Sequence, residues 1–274
     1  MTSDQFGVTV GHDSFLRPIT LNVGSRNAPH IAVTGASGGG KSSFAMHVIA
    51  ELAEGPDPVV FAGLDPSSVL LHPLRDFPRP ELRSLGGSSA EAHVSVLSRI
   101  LGELDLRLQL LLSLGQDKFG SFTTELPLIV VVFEEYPSLI AMAEEEDQTR
   151  SRERLRFAAS IRRGFGVIVR LGAKLGVNAL VLSQRGDASV LGGDIRASIA
   201  TRITFRADNP DAVKMMHPYG WEEHVEAAHI FRPGQGLIET PSLPLARGTF
   251  EHTAYSDYVK RLENVAGRIK CPVA

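Results

Sequence analysis

A glycine-rich segment at residues 35–42 constrains this chain more than any other part of its sequence. It reads Gly-Ala-Ser-Gly-Gly-Gly-Lys-Ser and fits the pattern G-x-x-x-x-G-K-[ST] of a phosphate-binding loop. The apolar run 30–34 precedes it and an amphipathic helical pattern follows it, as such a loop requires. The glycines let successive backbone N–H groups point at phosphate oxygens, and the start of the helix adds the positive end of its dipole.

The same segment predicts how ATP and Mg²⁺ are bound. We expect Lys41 to reach the β- and γ-phosphates and the Ser42 hydroxyl to bind Mg²⁺. A plain glycine-rich turn would not need Lys-Ser at this position between a strand and a helix. The predicted cofactor-binding residues are Gly35, Ala36, Ser37, Gly38, Gly39, Gly40, Lys41, Ser42 and Ser43.

Polar residues follow two further apolar strands. Glu134 and Glu135 come directly after the six apolar residues 128–133. Glu134 stands where a Walker B strand carries its metal-ordering acid, and Glu135 where an ATPase carries the residue that polarises the attacking water, although the reverse assignment stays open. The usual metal-ordering residue is Asp; a water-mediated Mg²⁺ contact would absorb the extra carbon of Glu. Gln184 follows strand 178–183 and is predicted to sense the γ-phosphate or orient water, with a loop-capping role as the alternative.

Alternation of strands and helices predicts the fold class. Short apolar strands at 30–34, 58–65, 128–133, 178–183 and 200–207 are separated by helical patterns. This order indicates an α/β fold with a mostly parallel central sheet and helices on both faces. A single cysteine, Cys271, excludes a disulfide framework and a multi-cysteine zinc site. No apolar run approaches the ~20 residues of a membrane span and no signal-peptide layout is present, so we expect a cytoplasmic protein.

Four further segments occur in a fixed order with the strand and loop at 28–42. They are 61–66 (Phe-Ala-Gly-Leu-Asp-Pro), 170–185 (ending Ser-Gln-Arg), 195–206 (containing Thr-Arg-Ile-Thr-Phe) and 233–236 (Pro-Gly-Gln-Gly). Together they resemble the motor domain of the FtsK/SpoIIIE family of ring-shaped DNA translocases, over roughly residues 7–240. The pattern departs from the family at Ser67, where a lysine is usual, at Gly186, where a proline is usual, and in 195–206, which lacks an Asn and a Pro.

The resemblance implies a RecA-like P-loop NTPase core that assembles as a hexameric ring around double-stranded DNA, with ATP between neighbouring subunits. It makes Arg202 the candidate arginine finger for the adjacent subunit's γ-phosphate, with a strand-end ion pair as the alternative. Weaker candidates are Arg206, Arg196 and Arg170. The predicted organisation is a segment 1–29 with edge strands, an ATPase domain 30–247, and a closing helix and tail 248–274.

Charge is distributed unevenly along the chain. The formal net charge is −3, which by itself disfavours a nucleic-acid partner. Residues 150–170, however, carry seven arginines against one acid, Glu153. Two interpretations stay open for this stretch: a solvated helix compensated by the acids at 144–147, or a surface that contacts DNA phosphates.

The leading hypothesis is an ATP-hydrolysing ring motor that translocates double-stranded DNA. Lys41, Glu135, Gln184 and Arg202 are its predicted catalytic residues, and Ser42 and Glu134 its predicted metal ligands. One alternative is a protein-secretion or genome-packaging ATPase of the same fold. Another is a nucleotide-dependent assembly module with low turnover, which the Glu at position 134 favours. The expected partners are duplex DNA, further copies of the chain, and membrane-associated or secretion proteins, without a direct membrane span.

Overall fold

The computed structural model describes residues 6–24, 30–87, 89–149, 156–184, 193–218, 220 and 222–270. The strands in these ranges are β1 (Gly7–Asp13), β2 (Pro18–Asn22), β3 (Ile31–Thr34), β4 (Val59–Asp65), β5 (Arg83–Leu85), β6 (Leu128–Phe133), β7 (Val177–Ser183), β8 (Thr201–Phe205), β9 (Gln235–Thr240) and β10 (Leu243–Phe250). The helices are α1 (Lys41–Glu54), α2 (Ala90–Ser113), α3 (Tyr136–Gln148), α4 (Phe157–Leu175), α5 (Gly193–Ser198), α6 (Pro210–Met216), α7 (Glu222–His229) and α8 (Tyr255–Lys270), with 3₁₀ turns at His72–Leu74 and Pro80–Leu82.

The chain forms two compact units. Unit 1 consists of Met1–Asp57 and Leu182–Ala274, and unit 2 of Pro58–Val181. In unit 2 the strand order is β7-β6-β4-β5, and all three pairings are parallel. Every residue of β6 is buried, as its uninterrupted apolar sequence predicts for a central parallel strand.

Helix α4 of unit 2 is fixed at both ends by buried side chains. At its start, the carboxylate of Asp147 accepts hydrogen bonds from the N–H groups of Phe157 (2.8 Å) and Ala158 (3.1 Å). Near its end, Arg107 donates to the carbonyl oxygens of Leu175 (3.0 Å) and Pro127 (2.7 Å). Burial lowers the pKa of Arg107, because the guanidinium is desolvated among these carbonyls. The exposed face of α4 is therefore held in a defined orientation within unit 2.

In unit 1 the strand order is β2-β1-β10-β9-β8-β3. The β3–β8 pairing is parallel, whereas the other pairings are antiparallel. Helix α1 follows β3 through the glycine-rich segment, and α8 is joined to α1 by Arg261, which donates to Glu51 and Glu54 at 2.6 Å each. Strand β10 crosses residue 247, where the sequence predicted the ATPase domain to end.

The predicted fold class is confirmed: the chain is α/β, and its buried central strands run parallel. Strands β1 and β2 lie in the segment 1–29, for which edge strands were predicted, whereas the apolar runs did not predict the antiparallel strands β9 and β10. Within the described ranges, no helix combines the length and apolarity that crossing a bilayer requires.

Candidate nucleotide-binding site

The glycine-rich segment forms a tight loop whose shape requires glycine. Gly38 and Gly40 have φ angles of 73° and 119°, which L side chains rarely adopt. A Cβ on Gly40 would lie 3.1 Å from the Gly234 nitrogen, whereas one on Gly38 would meet nothing within 4 Å. No side chain at Gly38 therefore covers this part of the loop. Helix α1 begins at Lys41, and its first N–H groups are directed toward the loop. This geometry fits a chain of phosphates.

Lys41 lies at the start of α1 with its side chain buried in the loop. Its ammonium donates to the carbonyl oxygens of Gly35 (2.6 Å) and Ala36 (3.1 Å). The positive charge is therefore held beneath the curve of the loop, where it can interact with anionic oxygens.

A cavity of about 410 Å³ opens over the loop. Its wall includes Ser37, Gly38 and Gly40–Ser43 from the loop side, together with Gln184, Phe205, Pro233–Gly234 and Thr249–His252. A second cavity of about 410 Å³ lies beside residues 34–36 and also has Gln184 in its wall, but it includes Asp208 and Asp211. The first cavity is the better candidate for the nucleotide, because Lys41 and Ser42 are in its wall and not in the wall of the second.

Two contacts keep the loop in place from below. Gly234, in the segment Pro-Gly-Gln-Gly, donates its N–H to the carbonyl of Gly39 (3.0 Å). The rings of Phe44, Phe205 and Phe250 pack edge to face with centroids 5.2–6.0 Å apart. The late glycine turn noted in the sequence therefore supports the loop directly.

The two serines that follow Lys41 differ in the hydrogen bonds of their hydroxyls. The hydroxyl of Ser43 donates to the carbonyl of Thr253 (3.0 Å) and accepts from its N–H (2.9 Å). Ser42 is exposed on the first turn of α1, and its hydroxyl has no partner among the described residues. Ser42 is thus the serine whose oxygen fits a Mg²⁺ ligand, in agreement with the hard-oxygen preference of that ion. No group of three His, Cys, Asp or Glu residues within the described ranges is close enough to hold a metal ion.

Gln184 and Arg202 are placed differently relative to the loop. Gln184 is exposed in the wall of both cavities, at the end of β7. Arg202 lines neither cavity; its guanidinium donates to the carbonyls of Ile199 (2.9 Å) and Met216 (3.3 Å) and is 13% exposed. Of the weaker candidates, Arg206 donates to the carbonyl of Ser37 (3.3 Å), while the side chain of Arg196 lies outside the described residues.

A buried polar chain links the strand before the loop to the surroundings of Arg202. The hydroxyl of Thr34 lies 3.0 Å from that of Thr204, which lies 2.9 Å from His217 Nε2. His217 Nδ1 lies 3.0 Å from the Glu239 carboxylate, which is 3.7 Å from Arg202. Burial lowers the pKa of His217, although Glu239 opposes the shift, and hydrogen bonding to His217 lowers the pKa of Glu239. Sequence patterns gave no signal for this chain of contacts.

In unit 2, the predicted acids follow β6 as expected from the sequence. Glu134 continues the strand, since its N–H donates to the carbonyl of Leu64 (3.0 Å). Glu135 has φ 45° and ψ 59°, a left-handed conformation that costs a non-glycine residue about 1–2 kcal/mol. It turns the chain from β6 directly into α3.

Sequence reasoning missed the contribution of Thr249–His252 to the cavity wall. This segment lies beyond residue 247, where the sequence predicted only a closing helix and tail. A late strand of mixed polarity such as β10 carries little periodic signal from which its role could be predicted.

Comparison with known proteins agrees with this geometry. The model of the FtsK/SpoIIIE family matches residues 2–217. The chain is 26% identical over 196 residues to the DNA translocase FtsK of Streptococcus agalactiae, covering 65% of this chain and 22% of that protein. It is 27% identical over 207 residues to the DNA translocase SftA of Bacillus subtilis, covering 72% and 20%. The chain thus spans about a fifth of the length of these relatives.

Solved structures show the same fold. The cytoplasmic domain of the type VII secretion ATPase EccC of Thermomonospora curvata matches with a TM-score of 0.73 at 20% identity, covering 97% of this chain and 32% of that one. The pCW3 conjugation coupling protein TcpA matches with a TM-score of 0.71 at 19% identity, covering 96% and 72%. From the glycine-rich loop and its cavity, the α/β fold and the extent of the family match, we conclude that the chain belongs to the FtsK/SpoIIIE family of P-loop ATPases.

Proposed function

We propose that this protein is an ATP-hydrolysing motor that works as a homo-oligomeric, hexameric ring and translocates double-stranded DNA. Its curated relatives named above are DNA translocases, and the loop, the buried Lys41 and the adjoining cavity suit a nucleoside triphosphate. The observation that carries the DNA part of the proposal is an exposed cationic face on α4, formed by Arg163, Arg170 and Lys174.

In this mechanism the loop N–H groups and the Lys41 ammonium neutralise the β- and γ-phosphates. Mg²⁺, held by Ser42 and Glu134, would supply further neutralisation of the phosphate oxygens. Glu135 polarises the attacking water, and Gln184 orients it or senses the γ-phosphate. The roles of the two acids rest on the Walker B pattern and the family, and the left-handed backbone at Glu135 supports a functional constraint there.

Arg202 remains the proposed arginine finger on the strength of its position in the family pattern. To reach a neighbouring nucleotide, its guanidinium would exchange the carbonyls of Ile199 and Met216 for phosphate oxygens. Replacement of Arg202 by Ala is therefore expected to lower turnover while leaving ATP binding intact. Equal loss of binding and turnover would instead assign Arg202 a structural role in unit 1.

The cationic face of α4 consists of Arg163, Arg170 and Lys174. All three side chains are exposed, and they lie within about 20° of a common direction around the helix axis, over about 16 Å. No carboxylate among the described residues pairs with them, whereas the neighbouring Arg162 pairs with Glu144. The Arg170 guanidinium lies over Gly166, where a Cβ would come within 3.0 Å of it.

Such a face is suited to a phosphate backbone. B-DNA presents about one negative charge per 1.7 Å of its axis, so several phosphates fall within the length of this face. The acids at 144–147 form no ion pair with this face in the described residues: Glu144 pairs with Arg162, Glu146 accepts from the N–H of Ala90, and Asp147 caps the start of α4. The part of the basic stretch at 150–155 lies outside the described residues.

The DNA proposal is tested by reversing charge on this face. We expect Arg163→Glu with Arg170→Glu to weaken duplex DNA binding and to reduce the slope of log K against log salt by about 2, one per lost phosphate contact. The matched control is Lys260→Glu with Arg268→Glu, which makes the same charge change on exposed positions of α8. Equal losses in both variants would contradict a specific role for α4.

A polypeptide-translocating motor is the second candidate. Unit 1 exposes Leu16 (78%) and Ile230 (77%) beside a cavity of about 440 Å³, and exposed apolar surface of this kind suits apolar side chains of a polypeptide. Stimulation of ATP hydrolysis by a secreted protein substrate, and not by duplex DNA, would favour this candidate over the first.

A further inference from the structure

The wall of the cavity over the loop includes residues outside the phosphate-binding segment. Besides Lys41 and the loop, the segment 249–252, where β10 ends, contributes to this wall. With a phosphate chain bound by the loop and the start of α1, this segment is available to contact the remainder of the nucleotide.

The position of this segment relative to the loop is fixed by direct contacts. Phe250 donates its N–H to the carbonyl of Gly234 (2.8 Å), and Gly234 in turn donates to Gly39 of the loop (3.0 Å). Next to it, Thr253 is bonded through its N–H and its carbonyl to the hydroxyl of Ser43 on α1. Both ends of the segment are thus tied to the phosphate-binding elements, as a preorganised binding surface requires.

Two side chains on this segment have the chemistry to contact a nucleoside. Glu251 and His252 are exposed in the cavity wall, and neither side chain has a hydrogen-bond or ion-pair partner among the described residues. A carboxylate accepts hydrogen bonds from a ribose diol, and an imidazole ring can stack on a base. A carboxylate would repel the phosphates, so Glu251, which directly follows β10, suits the uncharged part of the ligand.

We propose that Glu251 binds the ribose hydroxyls and His252 the base of the bound nucleotide, so that the end of β10, rather than the loop, selects a nucleoside triphosphate over inorganic polyphosphate. This inference rests on the proposed ATP-binding function. It adds two specificity-determining residues to the loop residues 35–43 that the sequence predicted to bind the cofactor.

The test compares ATP with inorganic tripolyphosphate, each titrated in the presence of Mg²⁺ by calorimetry. In Glu251→Ala with His252→Ala, we expect ATP affinity to fall about 10-fold or more while tripolyphosphate affinity changes less than about twofold. The matched control is Glu226→Ala with His229→Ala, an exposed Glu–His pair on α7 that lines no part of this cavity. The control should bind both ligands as the wild type does.

A change in the ligand provides a second test, which begins with the wild-type protein and so does not depend only on the folding of a variant. Wild-type protein should bind 2′,3′-dideoxy-ATP more weakly than ATP, and Glu251→Ala should weaken ATP but not the dideoxy ligand further, since the lost contact is the same. Unchanged ATP affinity in the double variant, or equal losses for ATP and tripolyphosphate, would overturn the inference while ATP binding by the wild type stands. Wild-type protein that binds neither ligand would contradict the proposed function itself, and the inference with it.

Discussion

Units 1 and 2 hold their functional groups by different means. In unit 1, the nucleotide cavity is shaped mainly by backbone: positive φ angles at Gly38 and Gly40 and the bond from Gly234 to Gly39. In unit 2, a parallel sheet and a capped helix present charged side chains, the strand-end acids and the cationic face of α4. The contrast suggests that substitutions at the loop abolish nucleotide binding, whereas substitutions in unit 2 alter turnover or cargo contact and leave binding intact.

The largest effect is expected from Lys41→Ala in unit 1. Removal of the ammonium leaves the phosphate charge uncompensated, and we expect hydrolysis to fall by about 100-fold or more, together with nucleotide affinity. Steady-state phosphate release and nucleotide titration measure the two quantities. If Lys41→Ala kept its nucleotide affinity, the contrast between units 1 and 2 would fail, because a loop residue would then act on turnover alone.

Glu135→Gln in unit 2 is expected to separate binding from turnover. The amide keeps the size of the side chain but cannot polarise water as a carboxylate does, so we expect turnover to fall by about 10²–10⁴-fold with ATP affinity within about threefold. Glu134→Gln serves as its counterpart, because the loss of turnover in that variant should depend on Mg²⁺ concentration. Full activity of Glu135→Gln would show that the assignment of the catalytic base is wrong.

Asp65, in the Asp-Pro motif of unit 2, is expected to contribute to stability rather than catalysis. Its buried carboxylate accepts from the N–H groups of Leu70 (2.8 Å) and Leu71 (2.7 Å) and from the Ser67 hydroxyl (2.8 Å). Asp65→Ala should lower the free energy of unfolding by about 2–3 kcal/mol, because two buried N–H groups lose their partner. Chemical denaturation measures this loss, and unchanged stability would contradict the structural role.

The smallest effects on stability are expected from substitution of two buried histidines. Burial lowers the pKa of both His93 in unit 2 and His217 in unit 1, so the unfolded chain binds protons more readily than the folded one. Their contributions to stability are present above the ordinary histidine pKa of about 6.5 and are lost as pH falls below it.

The two histidines are expected to differ in how much their substitution lowers stability at neutral pH. His217 has hydrogen-bond partners on both ring nitrogens, whereas neither nitrogen of His93 has one among the described residues. We therefore expect His217→Gln to destabilise the protein near pH 7.5 more than His93→Gln does, with both variants showing a flatter decline of the unfolding midpoint between about pH 7 and 5. The reverse order would contradict the hydrogen-bond chain from Thr34 to Glu239.

The sequence predicted the parts of the fold that depend on local pattern. The uninterrupted apolar runs gave β4, β6 and β7, and the glycines and Lys41 gave the loop, because backbone conformation and burial restrict the residues allowed there. The pairing of β10 with β1 and β9, and the return of Thr249–His252 to the loop, depend on contacts between distant segments. Such contacts leave no spacing in the sequence that predicts them.

Arg202 and the cationic face of α4 illustrate a second limit of prediction from the sequence: side-chain partners. A motif places an arginine in the chain but does not say which carbonyls bind it, and only the structure shows the bonds to Ile199 and Met216. Likewise, the composition of residues 150–170 left the arginines open to compensation by the acids at 144–147. The structure shows that Glu144 pairs with Arg162 and that Asp147 caps a helix, so neither neutralises Arg163 or Arg170.

The rate of ATP hydrolysis with and without duplex DNA, measured across a salt series, tests the central claim most directly. We predict that duplex DNA raises the rate at low salt, that the stimulation declines as salt screens the phosphate contacts, and that reversing the charge of Arg163 and Arg170 removes most of it. A hydrolysis rate that ignores duplex DNA at every salt concentration, in a protein that does not bind DNA at low salt, would contradict the account.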